Sequence, residues 1–196
     1  MTGLREIARI HQGDFRITPN QNLIVARVPE VRKAAIDALA RKHGLLAGGH
    51  SPLRLNGISC VALPTCPLAM AEAERYHPHF LSQLERLTRK HGLEDQEIVT
   101  RITGCPNGCA RPYLAELALI GKGPGRYNLM LGGDGIGTRL NRLYRENLDE
   151  AALLAEIDTL LGRYAAGRQP GERFGDYLIR DGIIRPIVNP AEDFHA

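Results

Sequence analysis

No run in the 196-residue sequence approaches the roughly 20 consecutive apolar residues that a bilayer-crossing helix needs. The opening MTGLREIARIHQGDF also lacks the apolar centre of a secretory signal, so a cytoplasmic location is expected. Charge of one sign is never concentrated. The 25 Lys and Arg and 22 Asp and Glu residues are interspersed, and the net charge is only +3. That pattern excludes a basic arm for nucleic acid and leaves a modest preference for anionic partners. Internal repeats and low-complexity tracts are absent. The seven histidines are scattered. His77 and His79 flank Pro78 without a metal-ligand spacing and are expected on the surface or in loops. GKGPGR, Gly121 to Arg126, lacks the Ser or Thr and the strand-to-helix context of a phosphate cradle, so it reads as a hairpin loop. Cysteine is scarce too, with four in the whole chain. In a reducing compartment, four thiols suit metal ligation or redox chemistry better than two structural disulfides.

What remains is the composition of a globular protein, 43% hydrophobic and 24% charged, with enough chain for one good core or two small ones. Gly13 to Val28 carries turn formers and then β-branched residues, which predicts one or two strands broken near Pro19 and Asn20. Glu30 to His43 has apolar residues at helical spacing, and Gly44 stands at the expected stop. The first unit should close near Leu46. Ala47 to Gly57 is rich in Gly and Pro and reads as the linker. Beyond it, Ile58 to Leu63 is a short apolar run. Pro67 followed by Leu68 to Arg75 predicts a helix. Phe80 to His91 predicts another, Ile98 to Ile102 a strand, and Leu114 to Gly121 with Tyr127 to Gly132 a hairpin. Asp149 to Tyr164 is the most regular amphipathic helix, with Leu153, Ile157, Leu160, Leu161 and Tyr164 on one face.

All four cysteines fall in two pairs: Cys60 and Cys66 in SCVALPTCP, Cys105 and Cys109 in GCPNGCA. Four thiolates satisfy either a tetrahedral zinc ion or an iron-sulfur cluster, and unligated buried cysteines are the third possibility. Unequal C-x5-C and C-x3-C spacings favour the larger cubane over a zinc knuckle. Proline after Cys66 and after Cys105 stiffens each loop and limits which amides can donate to sulfur.

The runs CVALPTCPLAMAEAER (Cys60 to Arg75), RITGCPNGCARPYLAELALIGKGPGRYNLMLGG (Arg101 to Gly133), GTRLNRLYRENL (Gly137 to Leu148) and RFGDYLIRDGIIRPI (Arg173 to Ile187) resemble sulfite reductase hemoproteins of the bacterial, NADPH-linked type. The resemblance extends from about Arg5 to Phe194 and matches only the carboxy-terminal portion of the family's much longer chains. It implies an α+β, nitrite/sulfite reductase-like fold. A small ferredoxin-like strand-helix unit, residues 1–46, would be a partial half-domain, and a mixed-sheet domain, 51–196, would bind a [4Fe-4S] cluster and sirohaem. By position, Cys60, Cys66, Cys105 and Cys109 inherit the cluster ligands, Cys109 also the bridge to sirohaem iron, and Asn107 a place near the sirohaem. Asn107 reads equally as a turn residue tolerant of left-handed backbone. Ala110 and Pro112 depart from the Gly and Ala more usual there.

The implied activity is six-electron reduction of sulfite to sulfide, for sulfur assimilation and cysteine biosynthesis. The implied partners are a flavoprotein using NADPH, or ferredoxin, as electron donor, and the amino-terminal half of the hemoprotein. Two alternatives stay open: an assimilatory nitrite reductase fragment, and a non-catalytic metal-binding or electron-transfer fragment. Arg111, Lys122, Arg126, Arg139 and Arg142 could meet carboxylates or an anionic substrate, but each taken singly is expected on a solvated face.

Overall fold

The computed structural model describes residues 1–46, 48–189 and 191. The chain divides into two compact units, Met1–His50 and Ser51–Ala196. Position 47 of the expected linker, and 190 and 192–196 of the expected second domain, lie outside the described residues.

The first unit holds helix α1 (Thr2–Ile10), strands β1 (Asp14–Ile17) and β2 (Leu23–Ala26), and helix α2 (Glu30–Lys42). The two strands, broken near Pro19 and Asn20 as expected, pair as an antiparallel hairpin in register from Asp14 opposite Ala26 to Ile17 opposite Leu23. Helix α2 ends as its sequence dictates, with Arg41 and Lys42 in the last turn and Gly44 at φ 61°. Helix α1 is an element that the periodicity reading did not anticipate. Its short apolar stripe contributes Ile7 to a small core with Ile36 and Ala40 of α2. His43 and Lys42 hold Glu6 at 3.0 and 3.2 Å, which lowers the Glu6 carboxyl below its ordinary range.

The second unit is built on a five-stranded mixed sheet in the order β3-β4-β5-β6-β7. Strands β3 (Ile58–Ser59), β4 (Thr100–Thr103) and β5 (Leu117–Gly123) run parallel, whereas β6 (Arg126–Leu131) pairs antiparallel with β5 and β7 (Arg142–Leu148) antiparallel with β6. Parallel neighbours need a crossover. Helix α4 (His77–Lys90) lies between β3 and β4 in the chain. β5 and β6 form the expected hairpin, with Gly125 at φ 66° in its turn. Helix α5 (Glu150–Gly167) buries all five apolar residues named from its pattern, and its Asp149 side chain accepts the Ala152 amide as an N-cap. Helix α6 (Phe174–Arg180) adds Phe174, Tyr177 and Leu178 to the same core.

Three expectations are corrected. Residues 67–75 are not helical but follow turns and bends, because their amides turn to another element: Met70 N and Ala71 N both donate to the Gly104 carbonyl, at 2.8 and 3.1 Å. Helix propensity gave way to tertiary hydrogen bonding. Within the expected linker, Ser51 caps a short helix, α3 (Pro52–Asn56). His77 and His79 lie in α4 rather than in a loop; His79 is on the surface as expected, whereas His77 is half-buried.

Candidate metal centre

The parallel pairing of β3 with β4 places two cysteine loops at one sheet edge. Ser59 pairs with Ile102, and Cys60 continues the ladder by donating its amide to the Ile102 carbonyl at 3.1 Å. Cys105 follows two residues beyond the end of β4. The C-terminal ends of adjacent parallel strands thus deliver Cys60 and Cys105, from distant parts of the sequence, to the same place.

Close approach of the two loops depends on small residues. A Cβ on Gly104 would stand 2.6 Å from Ala62 Cβ and 2.8 Å from the Ala71 carbonyl oxygen. One on Gly121, on β5 beside it, would lie 2.4 Å from the Gly104 oxygen and 2.7 Å from Ala71 Cβ. Ala62 and Ala71 are fully buried, and Ala62 holds the left-handed conformation at φ 47°. No side chain larger than hydrogen fits at Gly104 or Gly121 without displacing the segment that carries Cys66. Glycine in a strand pattern is the available sequence signal for such contact, and the cysteine-centred reading passed over it.

All four cysteines are free: Cys105 is buried, Cys60 and Cys66 are half-buried, and Cys109 is exposed. The sulfur of Cys60 receives the Gly104 amide at 3.3 Å and the Thr103 hydroxyl at 3.5 Å. Cys66 is held in a turn by its amide on the Ala62 carbonyl at 2.8 Å. Around the second pair, Tyr113 donates its hydroxyl to the Pro106 carbonyl at 2.9 Å. Burial, and then the Cys105 sulfur, push the Tyr113 phenol above its ordinary pKa. Fully buried Asn141 fixes the following 3-10 turn, Pro112–Leu114, by donating to the carbonyls of Pro112 at 2.7 Å and Ala115 at 3.0 Å. The left-handed position of the loop falls on Gly108, at φ 73°, not on Asn107, which is exposed.

Among the described residues no three His, Cys, Asp or Glu side chains form a ready-made ion-binding group. What the structure brings together is therefore backbone: the two cysteine loops at one sheet edge, with donors already directed at one sulfur. The cationic residues divide. Arg139 is structural, bound to the Gly132 carbonyl at 2.8 Å and to Asp176 at 2.6 Å. Lys122 and Arg126 are exposed, while Arg111 and Arg142 are half-buried. Burial, and then Arg111, lower the Arg101 pKa to about 10. An open cavity of about 460 Å³ lies between the Leu63–Pro64 segment and the Pro124–Gly125 turn, and no cysteine lines it. The hollow and the sulfur chemistry do not coincide.

This architecture is a nitrite/sulfite reductase-like α+β fold. Residues 1–44 match the nitrite/sulfite reductase ferredoxin-like half domain. The solved structure of Mycobacterium tuberculosis NirA protein superposes with a TM-score of 0.71 at 27% identity, over 91% of this chain and 35% of that one. Nearer in sequence is the "Sulfite reductase [NADPH] hemoprotein beta-component" of Thiocapsa roseopersicina, 85% identical over all of this chain and 35% of that protein. The protein of the same name from Cronobacter sakazakii is 61% identical over 98% of this chain and 34% of its own length. The chain thus spans about a third of the length of these curated relatives. Among the described residues, no helix is long and apolar enough to cross a membrane.

Proposed function

We propose that this chain is the part of a cytoplasmic sulfite reductase hemoprotein that holds a [4Fe-4S] cluster and sirohaem. The observation that carries the reading is 85% identity, over the whole chain, to a protein named as that hemoprotein. In this reading residues 51–196 hold the cofactors, with Cys60, Cys66, Cys105 and Cys109 ligating the cluster, and residues 1–46 are a ferredoxin-like half-domain. The donor set fits such a group: four free thiols on two loops at one edge, with an amide and a hydroxyl aimed at a sulfur. Exposed Cys109 is suited to face a second group, and Asn107 stands beside it in the loop. Arg111 follows closely, and a half-buried guanidinium there suits an anionic group such as a sirohaem carboxylate.

When bound, the two cofactors supply one-electron storage and an iron centre for the six-electron reduction of sulfite to sulfide. The chain's own residues position and insulate. Gly104 and Gly121 let the loops meet, Asn141 and Tyr113 brace the Cys105–Cys109 loop, and the β3/β4 edge fixes Cys60. The name beta-component of the relatives implies a flavoprotein partner that takes electrons from NADPH, with ferredoxin the alternative donor. The remaining two thirds of such a hemoprotein would complete the substrate site.

An anaerobic visible spectrum with iron and acid-labile sulfide assays tests this, on chain produced together with sirohaem synthesis. Sirohaem bands are expected, with about four iron and four sulfide in the cluster and about one further iron in the sirohaem. A colourless zinc protein would overturn the reading in favour of a zinc-stabilised domain. A cluster without sirohaem would leave an electron-transfer module. Faster turnover of nitrite than of sulfite by the completed hemoprotein would reassign the substrate.

A further inference from the structure

Thr103 is the last residue of β4 and is fully buried, its backbone paired with Ile120 of β5. A buried hydroxyl must find a partner. That of Thr103 is directed at the Cys60 sulfur, 3.5 Å away, and the next amide, Gly104 N–H, meets the same sulfur at 3.3 Å. A neutral thiol is a weak acceptor, so two donors on one sulfur make a site matched to a negatively charged one. The sulfur has little freedom to leave these donors, because the Cys60 amide is itself tied to Ile102.

We infer that Thr103 is a positioning residue that uses its hydroxyl to hold negative charge on Cys60 and thereby raises the reduction potential of the cluster the four cysteines carry. The inference rests on the cluster reading above. Adding an electron increases negative charge on the cluster and its sulfurs, so a donor hydrogen bond stabilises the reduced state over the oxidised one. Replacing the hydroxyl by a methyl group of similar size removes that preference.

The test is a redox titration, monitored by electron paramagnetic resonance, of the cluster reconstituted in the full chain. Wild type, Thr103→Val and Thr103→Ser are compared, with far-ultraviolet dichroism to confirm folding. The valine variant should shift the reduction equilibrium about tenfold toward the oxidised cluster, equivalent to about 59 mV for one electron. The serine variant, which keeps the hydroxyl, should stay within about twofold of wild type, a rescue that loss of packing alone would not give. If the valine variant does not fold, Thr103→Ala against Thr103→Ser makes the same comparison. A cluster that forms in wild type with unchanged potential in the valine or alanine variant overturns this inference and leaves the proposed function standing. Absence of any cluster from wild type sinks both.

Discussion

Gly104 has an ordinary backbone conformation, so what it contributes is space alone. The Gly104→Ala substitution would drive a methyl group into Ala62 Cβ and the Ala71 carbonyl, neither of which is the end of a flexible side chain. Overpacking of this kind costs about 2 kcal/mol. Chemical denaturation of the variant should show that loss, together with reduced iron uptake on reconstitution. Glu116 is a second residue whose role only the structure reveals. It is fully buried and accepts the Val99 amide at 2.8 Å, the Gly175 amide at 3.1 Å and the Arg173 guanidinium at 2.9 Å, joining the residues that lead into β4 and β5 to the start of α6. Glu116→Ala strands two buried amides, while Arg173 keeps Glu97 as a partner at 3.2 Å, and the expected loss is about 3 kcal/mol of unfolding free energy. The four cysteines were legible because their residue type is rare and reactive. Gly104 and Glu116 were not, since a glycine in TGC and a glutamate in AELAL look like any turn residue and any surface acid until their neighbours are known.

At the level of elements, α4 carries an acid sensitivity. Burial, followed by Arg54 and Arg101, lowers the His77 pKa to about 4. The unfolded imidazole takes up a proton below about pH 6.5, whereas the folded one resists it until about 4. Stability should therefore fall as pH drops through that interval, by up to about 3 kcal/mol. In denaturation series between pH 7 and 4, His77→Leu should flatten the slope, and an unchanged slope would assign the acid sensitivity to other groups. Elements were readable wherever one face met the core. α5 shows this, its five apolar residues standing at helical spacing and all buried. Strand β7 was not readable because it lies at the sheet edge with a mostly exposed, charged sequence, RLYRENL. Residues 67–75 misled for the opposite reason: strong helix formers were captured by hydrogen bonds to Gly104 that no local pattern encodes.

Taken whole, the molecule has two units of very unequal internal support. The described core of the first comprises Ile7, Ile36 and Ala40, while the second gathers residues from α3, α4, α5, α6 and the central strands into one cluster. So small a core gives marginal stability. Hydrogen exchange should find the amides of α1 and α2 opening at lower free energy than those of α5, and Ile36→Ala should erase protection in the first unit while leaving α5 protected. The Gly and Pro punctuation of Ala47 to Gly57 could be read from the sequence, whereas the parallel-to-antiparallel switch at β5 could not, since it is fixed by long-range pairing. That pairing has a consequence for biogenesis. β3 cannot find its partner until β4 has been synthesised, so Cys60 and Cys66 leave the ribosome well before Cys105 and Cys109. At about 5–20 residues per second, the first pair waits on the order of seconds with no counterpart. During that interval the nascent chain offers two thiols to whatever soft metal or oxidant is near, and under the proposed cluster reading the order of translation would make timely delivery of iron and sulfide part of making the protein.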